Sequence, residues 1–276
     1  MMEKYITQQA EVSASPAQSG KRIAVASAKG GAGTTALVAN IAWGLASHPD
    51  TKVACADLDC VTGDLDLQLS VNANGALQEM LQYPARLEPL IYARSGVKVT
   101  ENLHLFTGYS GQLTQAFWPE EIEFEAFSAF CQRQSDFLLW DIPAFSLRDQ
   151  VGLNALCGSD IQVLIVEPTL ASIRRTHLVL DALQASAATQ TILVLNHTKP
   201  EASSLITAAD VVQALGRKPD VEIPFAPNHM MASATLGQLA IAKKHRTGKA
   251  LQQLVSLIRG DQTATGRGLL RWLKGA

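Results

Sequence analysis

No stretch of the 276 residues approaches the roughly 20 consecutive apolar residues that a membrane-spanning helix needs. The first twenty, MMEKYITQQAEVSASPAQSG, lack the apolar centre of a secretory signal. Both absences lead us to expect a cytoplasmic protein. Cysteine is scarce: Cys55, Cys60, Cys131 and Cys157 form no Cys-x-x-Cys pair and have no histidine at zinc-ligand spacing. A structural zinc site is therefore not expected, and the thiols read as small, reduced, apolar side chains. Charge is sparse too. Only 17% of residues are charged and the formal net charge is -2, so there is no global basic field for non-specific nucleic-acid binding, and nucleic acid is not expected as a partner. The one basic cluster, KKHR at residues 243–246, reads as a solvated helix start.

What is abundant is apolar side chain, 47% of the chain, enough to bury the core of one large α/β unit. Apolar runs of strand length recur as RIAVAS (22–27), KVACAD (52–57), DFLLWD (136–141), IQVLIVE (161–167) and TILVLN (191–196). They are continuous rather than alternating, which suits strands buried on both faces of a parallel sheet. Between them, residues 35–47, 119–132, 172–185 and 249–259 carry apolar positions three and four apart, as helices facing a sheet do. The fold class expected is α/β, a doubly wound, mostly parallel sheet of the P-loop kind. Residues 1–20 read as a mobile leader, 21–259 as a nucleotide-binding domain, 260–266 (GDQTATG) as a linker and 267–276 as an amphipathic tail. The middle, 74–117, is the least informative; its helices would form a partner interface or cap the sheet.

The segment SAKGGAGTTA, residues 27–36, has the shape of a phosphate-binding loop without its lysine. Ala28, Gly33 and Thr35 fall at the spacing of that loop, but Thr34 occupies the lysine position, and Lys29 stands near the loop's beginning. Glycines at 30, 31 and 33 let backbone N–H groups converge on an anion, and the helix that follows turns its positive end to the same place. Thr35 can still offer a hydroxyl to magnesium. Asp57 and Asp59 sit where the second strand runs out, and Asp141 ends another strand, positions from which carboxylates orient water or a magnesium shell. Asp64 and Asp66 read as turn formers or helix caps. Asn196 closes the last strand, where its amide would read a base edge or form an Asx turn.

These residues resemble the deviant Walker-A ATPases of the MinD/ParA family, in which a signature lysine precedes the glycines. KGG with Lys29, the DLD element and the WDIP strand match in order, over residues 22–259. Within the family the likeness is to the TadZ/CpaE branch, which assists assembly of Flp (tight adherence) pili. It rests on AKGGAGTT with no second lysine, on DLDCVTGDLDLQLS and on VEPTLASIRRTHLVLDAL. The resemblance implies ATP or ADP with Mg2+ as cofactors and a homodimer in which Lys29 reaches the phosphates, those of its own loop or of the facing subunit. Gly30, Gly31, Ala32, Gly33, Thr34 and Thr35 would cradle phosphates, with Thr35, Asp59 and Asp141 at the magnesium shell. Asp59 would take the switch or water-positioning role and Asp141 the Walker-B role. Asn196 would read adenine, with Pro224 and Phe225 of IPFAP (223–227) near the base. Partners implied are the pilus motor ATPase and the inner-membrane platform.

Two departures qualify that picture. Many CpaE proteins carry a receiver-like domain ahead of the ATPase core, where this chain has the short leader. Thr34 matters more, because a hydroxyl cannot replace an ammonium facing charge that develops on phosphoryl oxygens, and losing such a donor costs about 100-fold or more in rate. Weak hydrolysis or none is expected. The alternatives are an active MinD/ParA-type positioning ATPase and a BcsQ-like cellulose-secretion factor, whose loop also lacks that lysine.

In RGLLRWLKGA, residues 267–276, a helical wheel puts Arg267, Arg271 and Lys274 on one face and Leu269, Leu270, Trp272 and Leu273 on the other. That is the composition of an interfacial membrane helix, a device MinD relatives also bear. A helix folded back onto the domain is the other reading. If it meets lipid, dimerisation strengthens attachment by avidity, and the protein sits at the inner membrane or cell pole.

Overall fold

The computed structural model describes residues 19–108, 117–184 and 190–261. Eight strands form one sheet: β1 (Lys21–Ser27), β2 (Val53–Asp57), β3 (Val97–Thr100), β4 (Leu103–Phe106), β5 (Phe137–Ile142), β6 (Ile161–Val166), β7 (Gln190–Asn196) and β8 (Val221–Ile223). Their spatial order is β3-β4-β2-β5-β1-β6-β7-β8, parallel throughout except for the β3–β4 pair. The helices are α1 (Thr34–Ala46), α2 (Leu65–Leu69), α3 (Ala76–Gln82), α4 (Pro89–Ser95), α5 (Glu121–Gln134), α6 (Gln150–Cys157), α7 (Leu170–Gln184), α8 (Ala208–Leu215), α9 (Pro227–Leu236) and α10 (Arg246–Arg259). This is the doubly wound, mostly parallel sheet expected from the apolar runs.

Successive side chains of β1 show why helices cover both faces. Ile23 and Val25 join Leu37 and Ile41 of α1 and Leu251 and Leu254 of α10 in one core. Ala24 and Ala26 face the opposite way, toward Phe124 and Phe127 of α5. The small residues there have a purpose. Trp140 of β5 lies in register with Ala24 on one side and Ala56 on the other, so two alanines make room for one indole, whose Nε1 donates to the Ser128 hydroxyl at 3.2 Å.

The helix that follows the glycine loop is fixed from behind. Asn40 of α1 is fully buried; its Nδ2 donates to the Ala36 carbonyl at 2.7 Å and its Oδ1 accepts the Ile241 N–H at 2.9 Å. At Gly44 an added Cβ would come within 2.6 Å of Ile241 and 2.7 Å of Val255, so α1 and α10 approach as closely as glycine permits.

The five strands and four helices anticipated from periodicity are present. β3, β4 and β8 were not anticipated: they are short, and in β8 the central Glu222 is exposed, which breaks the apolar run. In the KKHR cluster, Lys243 and Lys244 are exposed and Arg246 opens α10. No helix among the described residues is long and apolar enough to cross a membrane. The leader up to residue 18 and the tail with Leu269, Leu270, Trp272 and Leu273 lie outside the described residues.

Candidate nucleotide site

At the carboxyl end of the sheet, β1 stops at Ser27 between β5 and β6, and the loop climbs over the strand ends into α1. Gly31 (φ 81°) and Gly33 (φ 89°) have left-handed backbones that only glycine adopts without strain. Gly30 and Gly31 have nothing within 4 Å of where a Cβ would stand, so their face of the loop is open. Gly33 is different, because a Cβ there would lie 2.8 Å from Asn196 Nδ2. That nitrogen donates to the Ala32 carbonyl at 2.8 Å and ties the end of β7 to the loop.

Thr34, in the lysine position, turns inward: its hydroxyl donates to Ser27 Oγ at 2.8 Å, and Ser27 donates to the Lys29 carbonyl at 2.9 Å. Lys29 is held as well. Its ammonium is 2.6 Å from Glu167, whose side chain is 4% exposed; the other Glu167 oxygen accepts the Thr198 hydroxyl.

Beneath the loop lie the carboxylates. Asp57 and Asp141 are register partners on β2 and β5, and both are buried. Burial pushes Asp141 up to about 7, with the Thr35 hydroxyl, which donates to it, pulling the other way and Asp59 adding to the rise. Asp57 also stands well above the usual carboxylate range, through burial first and the Asp141 charge second. It accepts the Asp59 N–H at 2.9 Å and the Leu65 N–H at 3.4 Å, and a Cβ on Gly63 would fall 2.2 Å from its Oδ2. Asp59 accepts from Val61 N, Thr62 N and the Thr62 hydroxyl, at 3.1, 2.8 and 2.8 Å. Paired acids whose charged forms are disfavoured, beside a threonine hydroxyl, are the donor set that a hard divalent cation accepts. The cleft over them has a volume of about 550 Å³. Chemically, the arrangement offers open backbone N–H groups for an anion and oxygen ligands for the cation that accompanies it.

No protein-family model matches the chain. The septum site-determining protein MinD of Helicobacter pylori is 24% identical over 269 residues, covering 92% of this chain and 97% of that one. A ParA family ATPase from Chlorobium tepidum matches in structure with a TM-score of 0.75 at 22% identity, over 86% of this chain and 98% of that chain. MinD of Pyrococcus horikoshii, solved with Mg-ADP, matches with a TM-score of 0.65 at 19% identity, over 87% and 96%.

The chain has the fold of MinD and ParA P-loop proteins.

In this chain the cleft gathers Gly30, Gly31, Gly33, Thr34, Thr35, Asp59 and Asp141. Ala32 is buried beneath the loop. Lys29 does not line the cleft; in the single chain it is drawn to Glu167. Asn196 is engaged with the loop backbone through its Nδ2. Pro224 and Phe225 line a separate cavity of about 590 Å³, together with His229 and His245. Asp64 stands at the N-cap position of α2 without a side-chain capping bond. His197, Glu201 and Glu222 form another group, with one ligand atom each within 4.8 Å of the others, and there His197 Nε2 is hydrogen-bonded to Glu222 at 2.7 Å.

Sequence reasoning missed Glu167, Arg148 and Arg175. No spacing rule marks them, since they reach the loop or its cleft from segments that follow β5 (Arg148) and β6 (Glu167 and Arg175). The single available signal was a charged residue directly after an apolar strand, which Glu167 provides.

Proposed function

We propose that the protein is a nucleotide-controlled switch: it takes up ATP or ADP with Mg2+, pairs as a homodimer in the ATP form, and hydrolyses slowly or not at all. Thr34 carries this reading. Its hydroxyl is committed to Ser27, so the position that supplies an ammonium in a standard loop holds a short neutral side chain bonded within the loop. Binding rests on what is left: the open backbone of Gly30 and Gly31, the N-terminus of α1, which no side chain caps, and the Thr35, Asp59 and Asp141 oxygens. Mg2+ held there would neutralise phosphate charge. Turnover needs charge stabilisation that Thr34 cannot give.

Residues 21–259 form the nucleotide-binding domain in this proposal, 260–266 link it to the tail, and the tail brings the dimer to the inner membrane. The cellular context we favour is Flp pilus assembly, with the motor ATPase and membrane platform as partners, supported by the DLDCVTGDLDLQLS and VEPTLASIRRTHLVLDAL resemblance. Calorimetry with Mg-ATP tests binding, and a single-turnover assay tests hydrolysis. Micromolar binding with turnover at least about 100-fold below a lysine-containing relative supports the switch. Rapid turnover would instead favour the active positioning ATPase. Co-purification with cellulose-secretion proteins rather than pilus proteins would favour the BcsQ-like role. Failure to take up nucleotide at millimolar concentration overturns the proposal.

A further inference from the structure

The cleft that would receive phosphates is lined by four carboxylates, Asp57, Asp59, Asp64 and Asp141, and, among the described residues, by no lysine. A polyphosphate entering such a site meets like charge unless cations answer it. Two are present. Arg148 ends the single helical turn Ser146–Arg148 that follows β5, and Arg175 lies in α7, which follows β6. Both line the cleft, from opposite sides of β1 in the sheet order. Both side chains belong to exposed residues, and neither has a carboxylate partner among the ion pairs of the described residues. Asp149, next to Arg148 in sequence, accepts the Gly152 N–H at the start of α6.

We propose that Arg148 and Arg175 together replace the missing loop lysine as the phosphate-binding cations of this chain. The inference rests on the nucleotide reading above and deepens it. The reasoning is one of charge supply. Thr34 contributes none, and Lys29 is neutralised by Glu167 outside the cleft. The two unpaired guanidiniums are therefore the fixed positive charges that the cleft holds. A guanidinium is suited to the task, because its planar fork donates two parallel hydrogen bonds to phosphate oxygens and does not deprotonate. It also reaches its target from a neighbouring element, so it needs no place within the loop. This explains how the loop tolerates threonine at its lysine position without losing its anion.

Calorimetry of the full chain with Mg-ATP and Mg-ADP tests the assignment, with thermal melting as a check on folding. Arg148→Ala and Arg175→Ala should each weaken Mg-ATP binding about 10-fold, and the double variant about 100-fold, with the melting temperature of the ligand-free protein unchanged. Thr34→Lys should recover at least about 10-fold in the double variant and add less to wild type, a non-additivity that a merely structural role for the arginines would not produce. Wild-type binding that the double variant retains in full overturns the arginine assignment and leaves the nucleotide reading standing. Wild-type protein that takes up neither nucleotide overturns both.

Discussion

The Lys29 ammonium lies 2.6 Å from a Glu167 carboxylate oxygen, joining the phosphate loop to the residue just after β6 across 138 positions of sequence. The two ends of this pair are not equivalent, since the lysine side chain is 32% exposed and the glutamate 4%. Lys29→Ala strands a buried carboxylate and should destabilise the protein by about 1–3 kcal/mol, whereas Glu167→Gln leaves a lysine that water can solvate and should cost less. The double variant should be more stable than the sum of the singles predicts. Urea denaturation of the four proteins measures this, and strict additivity would show that the pair contributes nothing.

Two neighbouring glycines should respond differently to the same methyl group. Gly33→Ala forces a left-handed alanine against Asn196 Nδ2 and should lower stability by about 1–2 kcal/mol. Gly30→Ala meets nothing within 4 Å, so its melting temperature should stay near wild type while Mg-ATP affinity falls, because the methyl projects into open space that phosphate would use. Equal stability loss in both variants would contradict this geometry.

Burial disfavours the charged form of Asp141 and pushes its carboxyl up to about 7. Asp141→Asn removes that charge and keeps an oxygen for the Thr35 hydroxyl to donate to, so the ligand-free protein should gain about 1–3 kcal/mol near pH 8. Mg-ATP should no longer raise its melting temperature. A variant less stable than wild type without ligand would count against the burial penalty on the Asp141 charge.

His245 caps α10 through Nδ1, which accepts the Gly248 N–H at 3.1 Å, and its ring is stacked 3.6 Å from that of His229. Burial, His229 and Lys243 together lower its proton affinity below the ordinary value of 6.5. A histidine whose folded-state value is depressed contributes full stability above 6.5 and loses it as pH falls, since the unfolded chain takes up the proton first. The melting temperature should therefore drop from about pH 7 to about pH 5, and His245→Asn, which keeps a capping oxygen, should flatten that slope. An unchanged slope would assign the acid sensitivity elsewhere.

The strands that frame the cleft were legible because parallel strands buried on both faces read as unbroken apolar runs, as RIAVAS and TILVLN do. β3 and β8 escaped notice because exposed Lys98 and Glu222 interrupt them. α2 and α3 have five and seven residues, too short for a helical period to show and too short to persist without the packing around them. In the site, the glycine loop and the strand-end acids stood out through local spacing. The direction of Lys29 and the anchoring of Asn196 on Ala32 did not, because their partners lie 138 and 164 residues away. Arg148 and Arg175 belong to neither pattern and emerge only when β5 and β6 are seen on either side of β1.

β8 is three residues long with Glu222 at its centre, and β3 is four residues long, antiparallel, and shifted in register between Lys98 and Thr100. Short, charged and irregular borders of this kind make poor templates for a further strand. Copies of the protein are thus discouraged from fusing their sheets side by side, and self-association is steered toward other surfaces. For the homodimer proposed above this matters, because pairing through other surfaces can be undone where a continuous β ribbon could not.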